Sequence, residues 1–138
     1  MRPLLPAVLA LLLFAGCDSA DPPAVLPGQV TVSTDQRRYV GRTDVVVELA
    51  NASAQTLTLS STLACVLVLE HNVGAAWVER GVPGDCAADE RDVRPGAATT
   101  AELDLAGFDP GAYRVTVAFR PESGEAEPAV SEIFSLTR

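Results

Sequence analysis

Few residues in this chain of 138 could carry out catalysis, and their spacing matches no catalytic motif. His71 is the single histidine, it falls in a predicted turn, and no serine or cysteine nucleophile accompanies it in a recognisable motif. We therefore predict a surface histidine and a protein that is not an enzyme. One histidine and three cysteines exclude most multi-ligand zinc sites, so we expect no metal and no cofactor.

A cluster of acids offers oxygen ligands instead. Residues 81–92 show no periodicity, and a connection of that length is unusual in a compact domain. The segment contains four of the chain's carboxylates: Asp85, Asp89, Glu90 and Asp92. Such oxygens are ligands for Ca²⁺, but the EF-hand spacing is absent, so a solvated acidic loop is the preferred interpretation.

The same loop is the predicted binding surface, if the domain has one. Trp77 lies on the strand predicted just before it, where an exposed tryptophan would anchor a partner. The alternative, that Trp77 covers the end of the core and the loop merely connects two strands, stays open.

The amino terminus has the composition of an export signal. Arg2 supplies a positive charge, residues 4–14 form an apolar run, and two small residues precede Cys17. The apolar run is too short to span a bilayer stably. We therefore predict a signal peptide over residues 1–16, which is cleaved from the mature chain.

The residues around the predicted cleavage site add a lipid anchor to this prediction. The tetrapeptide Phe14-Ala15-Gly16-Cys17 resembles the bacterial lipobox, with phenylalanine in the place of the usual leucine. The resemblance implies that Cys17 is lipidated and tethers the protein to a membrane of the bacterial cell envelope, facing the periplasm or the cell exterior. An ordinary secretory signal that happens to contain a cysteine is the alternative. Residues 17–28 are rich in proline and acids, which predicts a flexible tether.

The charge of the chain excludes one class of partner. The formal net charge is −8, from 10 arginines and 18 acids. Since Arg2 is the only charge in the signal, the mature chain has nine cations against those 18 acids, or −9. So acidic a protein is not expected to bind nucleic acid, or to dock on anionic lipid through its charge.

Strand patterning dominates residues 29–138, which we predict to form one domain. The clearest alternation of apolar and polar residues runs from Tyr113 to Arg120. Residues 63–70 are almost all apolar, which predicts a strand buried on both faces. Helical spacing is missing after the signal, and turn residues recur about every ten positions. We expect an all-β, antiparallel β-sandwich of about 7–9 strands, with a barrel as the alternative.

A short motif before the clearest strand refines this fold. Asp109, Gly111 and Tyr113 stand at alternate positions and resemble the immunoglobulin-type signature, with Val115 where that signature has a cysteine. The resemblance implies a tyrosine corner, in which the tyrosine hydroxyl hydrogen-bonds to upstream backbone. With this motif the chain is similar to the immunoglobulin-like domains of bacterial lipoproteins and to the intracellular proteinase inhibitor type domain. The resemblance supports this architecture more strongly than it supports any function.

Two cysteines remain once Cys17 is lipidated. An exported protein with two cysteines, Cys65 and Cys86, is expected to form one disulfide, which would pin the 81–92 loop to a central strand. Two buried free thiols are the alternative.

Two hypotheses for function follow. The first is a lipid-anchored, non-catalytic module that presents loops or a sheet edge to an envelope protein or glycan. The second, implied by the family resemblance, is a proteinase-inhibitor-like module that presents the 81–92 loop.

Overall fold

The computed structural model describes residues 23–81 and 86–138, and apart from one four-residue helix their regular secondary structure is all β-strand. In chain order the elements are β1 (Val30–Thr34), β2 (Arg38–Val40), β3 (Asp44–Asn51), β4 (Leu57–Leu59), α1 (Leu63–Val66), β5 (Leu67–Val73), β6 (Ala76–Arg80), β7 (Arg91–Val93), β8 (Ala98–Asp104), β9 (Gly111–Pro121), β10 (Glu127–Val130) and β11 (Phe134–Thr137). The prediction of an all-β sandwich is confirmed. The eleven strands exceed the expected number because several of them are only three or four residues long.

The strands form two sheets that enclose one core. The smaller sheet is antiparallel, with the order β1–β3–β8. The larger sheet is organised around β9, which pairs with β5 and β4 along one edge and with β11 and β10 along the other. Outside these lie β6 on β5, β7 on β4, and β2 on β11. The pairing of β2 with β11 is parallel, so the sandwich is antiparallel in every other pair and mixed at this edge.

Alternation along the longest strands decides which residues form the core. On the inner faces of β3 and β9 every second side chain is fully buried: Val45, Val47, Leu49, Tyr113, Val115 and Val117. Because successive side chains of a strand point to opposite faces, the alternation that predicted the strands also identifies these core positions.

The prediction of a strand over residues 63–70 was partly wrong. Residues 63–66 form a single helical turn, α1, and the predicted strand begins only at Leu67. The backbone N–H groups of Cys65 and Val66 both donate to the carbonyl of Thr62, which closes the turn and buries Leu63. An apolar run of this length does not distinguish a buried strand from a short buried helix.

The end of the predicted 81–92 loop is also ordered. Residues 91–93 form β7, which pairs with β4.

In the part of the chain that the structure describes, no helix has the length and apolar character needed to cross a membrane.

Candidate binding site

The disulfide expected from the cysteine count is confirmed. Cys65 and Cys86 are bonded, with their Cα atoms 5.6 Å apart. Cys65 lies in α1, at the approach to β5, and not within a central strand. The hydroxyl of Ser61 donates to the carbonyl of Ala87 at 2.6 Å, so a hydrogen bond lies beside the covalent one. Together they hold Cys86 and Ala87, within the 81–92 segment, beside α1.

The acids of that segment interact mainly with arginines of the same chain. Asp89 forms an ion pair with Arg91 at 2.5 Å. Glu90 forms one with Arg120 on β9 at 3.3 Å. Asp85 lies outside the described residues. The carboxylates of Asp89 and Glu90 are therefore partly neutralised within the domain.

Asp92 lies on β7, where its carboxylate accepts a hydrogen bond from the Thr58 hydroxyl at 3.1 Å. Across residues 23–81 and 86–138, no group of three or more side chains could hold a metal ion. Among the described acids, Glu90 and Asp92 therefore link the segment to β9 and β4.

Trp77 belongs to a different part of the large sheet. Its half-buried ring lies under the guanidinium of Arg114, 4.3 Å from the carbon of that group to the ring centroid. Arg114 in turn binds Glu70 through two hydrogen bonds of 2.7 and 3.2 Å. These bonds, helped by one from the Thr116 hydroxyl, hold the pKa of Glu70 below its usual value against the opposing effect of burial.

The predicted surface is therefore divided. Arg114, which covers Trp77, and Arg120, which binds Glu90, are six residues apart on β9, or about 20 Å at the rise of a β-strand. Trp77 lies on the outer face of the sheet, so it does not cover the end of the core either.

The residues that resemble the immunoglobulin-type signature form a corner closed by a hydrogen bond. The hydroxyl of Tyr113 donates to the carbonyl of Asp109 at 2.5 Å, and the tyrosine side chain is fully buried. Burial raises the pKa of Tyr113, and the negative charge of Asp109 raises it further. This is the hydrogen bond of a tyrosine corner.

The same corner corrects the prediction for His71. The histidine is not at the surface: it lies in β5 with 7% of its area exposed, and its ring stacks on Tyr113 at 4.3 Å between centroids. Gly111, at φ 150°, leaves room for that ring, because a Cβ atom there would lie 2.5 Å from Nε2. The buried Nδ1 atom has no hydrogen-bond partner in the described chain. The imidazole is therefore enclosed against Gly111 and Tyr113 and is not exposed in a turn.

A groove that the sequence did not reveal runs between the edges of the two sheets. Its volume is about 570 Å³, with β1 forming one wall and residues 128–133 the other. Volumes of ~300–1,000 Å³ are typical of ligand sites. Two hydrophobic side chains of the second wall are strongly exposed, Val130 at 50% and Ile133 at 57%. A sequence feature that could have indicated the groove is the break in the alternation of apolar and polar residues between β10 and β11.

The backbone of β1 is open towards this groove. The N–H of Ala52 donates to the carbonyl of Gln29, and that of Asp35 donates to the carbonyl of Val46. Because hydrogen-bonded pairs alternate along an antiparallel ladder, residues 29, 31, 33 and 35 direct their backbone groups to β3. Those of Val30, Val32 and Thr34 point the other way, and no described strand pairs with them.

Polar contacts hold the far end of this edge. The Tyr39 hydroxyl donates to the Asp35 carboxylate at 2.5 Å, and the same carboxylate accepts the N–H of Val46 at 2.9 Å. Burial and the bond to Asp35 raise the pKa of Tyr39 to about 12. Burial alone would raise the pKa of Asp35, but the hydrogen bonds outweigh it and the pKa is lowered. The exposed ion pair of Arg37 and Glu132 borders the groove nearby.

No protein-family model and no curated protein matches this chain. Among solved structures, the chain is similar to the X-ray structure of Northeast Structural Genomics Consortium target SoR45. The sequence identity is 18%, the TM-score is 0.52, and the match covers 82% of this chain and 89% of that chain. A likeness at this identity shows the all-β fold alone.

Proposed function

We propose that this protein is a lipid-anchored, non-catalytic binding module of the bacterial cell envelope, and that it holds a partner protein in the groove beside β1. The observation that carries the proposal is the coincidence of unpaired backbone groups on β1 with an apolar, open groove. Native proteins cover or interrupt such edges, because a free edge recruits other chains. Within residues 23–81 and 86–138 no strand covers this edge, and exposed valine and isoleucine lie next to it, which supports a role in binding.

The placement in the envelope is supported by two features. The lipobox-like sequence ends at Cys17, which lies outside the described residues, and the domain contains a disulfide between Cys65 and Cys86. Disulfides persist in compartments outside the reducing cytosol. A lipidated Cys17 followed by a proline-rich tether would leave the groove accessible at the membrane surface.

The anchor is tested by detergent-phase separation of cells that express the wild type or the Cys17→Ser variant. We expect the wild type in the detergent phase and the variant in the aqueous phase, because two or more acyl chains hold a protein firmly on a membrane. If the wild type also partitions into water, the protein is not a lipoprotein.

The groove is tested in cells by a photocrosslinking amino acid placed at Ile133, with Glu102 on β8 as the matched exposed control. We expect a discrete adduct from position 133 that is absent from position 102. Equal adducts, or none, would contradict the groove as the binding surface.

The inhibitor-like module remains a second candidate. The observation in its favour is that the disulfide and the Ser61–Ala87 hydrogen bond hold the 81–92 segment at Cys86. Against it, Asp89 and Glu90 are engaged by arginines of the domain. Incubation with a panel of serine proteinases decides between them: inhibition without cleavage of the segment supports the second candidate, whereas rapid cleavage or no inhibition excludes it.

A further inference from the structure

We propose that the groove receives an extended segment of the partner, which pairs with β1 as a fourth, antiparallel strand of the smaller sheet. The segment has apolar side chains at alternate positions and a basic residue near its carboxyl end. This inference rests on the proposed function and specifies the chemistry of its partner.

The backbone of β1 supplies the first part of the argument. Val30, Val32 and Thr34 each present one N–H and one C=O to the groove, so the edge offers three donors and three acceptors. β1 reads Val-Thr-Val-Ser-Thr and pairs with β3 in continuous register, without charge, proline or bulge. It therefore lacks the devices that keep natural edge strands from pairing with other chains. An added strand would satisfy all six groups.

The walls of the groove determine which side chains the segment carries. An added strand places every second side chain on the inner face, in line with Val30 and Val32. There they would meet Ala129 and Ile133 across the groove. Apolar side chains, preferably β-branched ones, suit these neighbours and the strand conformation. Alternate residues face solvent and are polar.

Charge determines one end of the segment. Glu127 pairs with Phe119 across β10 and β9, and residues directly opposite in a sheet share a face. Since Phe119 is buried in the core, Glu127 points to the inner side, at the rim of the depression that continues the groove past Gly28. No ion pair or hydrogen bond to its carboxylate is found in the ranges 23–81 and 86–138. A lysine or arginine of the segment would complement this free carboxylate.

The direction follows from the smaller sheet. Its existing pairs are both antiparallel, and antiparallel pairing is slightly the more stable per residue. A segment antiparallel to β1 has its carboxyl end beside Gly28, which is the end at which Glu127 lies.

The test uses a labelled peptide, acetyl-Val-Thr-Val-Thr-Val-Gly-Lys-amide, and the lipid-free domain from residue 18 onwards with its disulfide intact. Fluorescence polarisation should show saturable binding. Two N-methylated versions probe the pairing: methyl groups on the amides that face β1 should weaken binding at least tenfold, whereas methyl groups on the alternate amides should leave it within about twofold. Absence of binding, or equal effects of the two methylation patterns, would overturn the inference.

Charge and side-chain chemistry are tested with variants of the domain. Glu127→Gln should weaken binding of the lysine peptide about threefold to tenfold at low salt and leave a peptide with glutamine in place of lysine unaffected. Glu102→Gln, on the opposite edge of the smaller sheet, is the matched control and should change the binding of neither peptide. A peptide with the lysine moved to the amino end should bind less tightly; tighter binding would overturn the antiparallel direction.

Failure here is distinguishable from failure of the proposed function. A crosslink from Ile133 in cells together with no binding of the peptide would retain the binding module and reject strand addition. Sedimentation of the domain alone tests a competing occupant: a stable dimer that Val30→Lys dissociates would show that β1 pairs with a second copy, and would overturn the proposal.

Discussion

The two edges of the smaller sheet differ: the β8 side is closed and the β1 side is open. At the β8 side of the smaller sheet, α1 lies against the edge, Leu63 is buried at 3% exposure, and a disulfide fastens the following segment. β8 itself contains the acids Glu102 and Asp104, which discourage pairing with other chains. At the β1 side there is a groove, an uncharged strand edge and exposed aliphatic side chains. The exposed side chains of the β1 side lie outside the core, so a partner can bind them without a large effect on the fold.

The largest effect should come from the closed side. Leu63→Ala removes a buried side chain that α1 places against the core, and it should lower the free energy of unfolding by about 3–4 kcal/mol through lost burial and a residual cavity. Urea denaturation measures the change. Leu26→Ala, at a residue that is 61% exposed, is the control. Equal effects of the two substitutions would show that α1 does not close the core.

Removal of the disulfide should rank next. The double variant Cys65→Ser/Cys86→Ser should lose about 3 kcal/mol, because the bond restricts the unfolded chain between two positions 21 residues apart. Reduction of the wild type before urea denaturation is the control and should reproduce the loss. A difference under about 1 kcal/mol would indicate that the loop contributes little to the closed side.

The next prediction concerns the tyrosine corner on β9, a strand inside the larger sheet. Tyr113→Phe keeps the ring on His71 and removes the hydroxyl, so the carbonyl of Asp109 loses its donor. A cost of about 1–3 kcal/mol in the free energy of unfolding is expected for such a buried acceptor. A loss below about 0.5 kcal/mol would mean that water replaces the hydroxyl.

The ion pair on the outer face should contribute less and depend on pH. Glu70→Gln should cost about 1 kcal/mol at pH 7, since a charge-assisted pair becomes a neutral one. The folded state lowers the pKa of Glu70 from 4.5, so the stabilisation is complete above that pH and declines as the pH falls through the lower folded value. Chemical denaturation of both proteins from pH 7 to pH 3 should therefore show the difference shrinking. A difference that is constant or grows in acid would contradict the role of Arg114 as the cause of the shift.

A substitution on the open side should have the smallest effect on the free energy of unfolding. Ile133→Ser replaces a side chain that is 57% exposed and should change the free energy of unfolding by no more than about 0.5 kcal/mol. In the peptide assay the same substitution should weaken binding severalfold. A large loss of stability would show that Ile133 belongs to the core, and the contrast between the two sides would fail.

Much of the fold was predictable from local pattern. The alternation along Tyr113–Arg120 identified the central strand and its buried face, and the Asp109–Tyr113 signature preceded a corner with the expected hydrogen bond. Cysteine count was sufficient for the disulfide. Each of these depends on spacing along the chain or on residue number, which a sequence displays directly.

The candidate site was not predictable in the same way. Val30, Val32, Val130 and Ile133 look like ordinary strand residues, and whether their backbone or side chains are paired depends on which strands become edges. His71 resembled a turn residue, yet Gly111 on another strand makes the space in which it is buried. The amino-acid sequence by itself determined most of the strands, the inner faces of the longest ones and the disulfide, because these follow from periodicity and composition. Only the tertiary structure decided which edge stays open and which polar side chains are enclosed, because both result from contacts between residues distant in the chain.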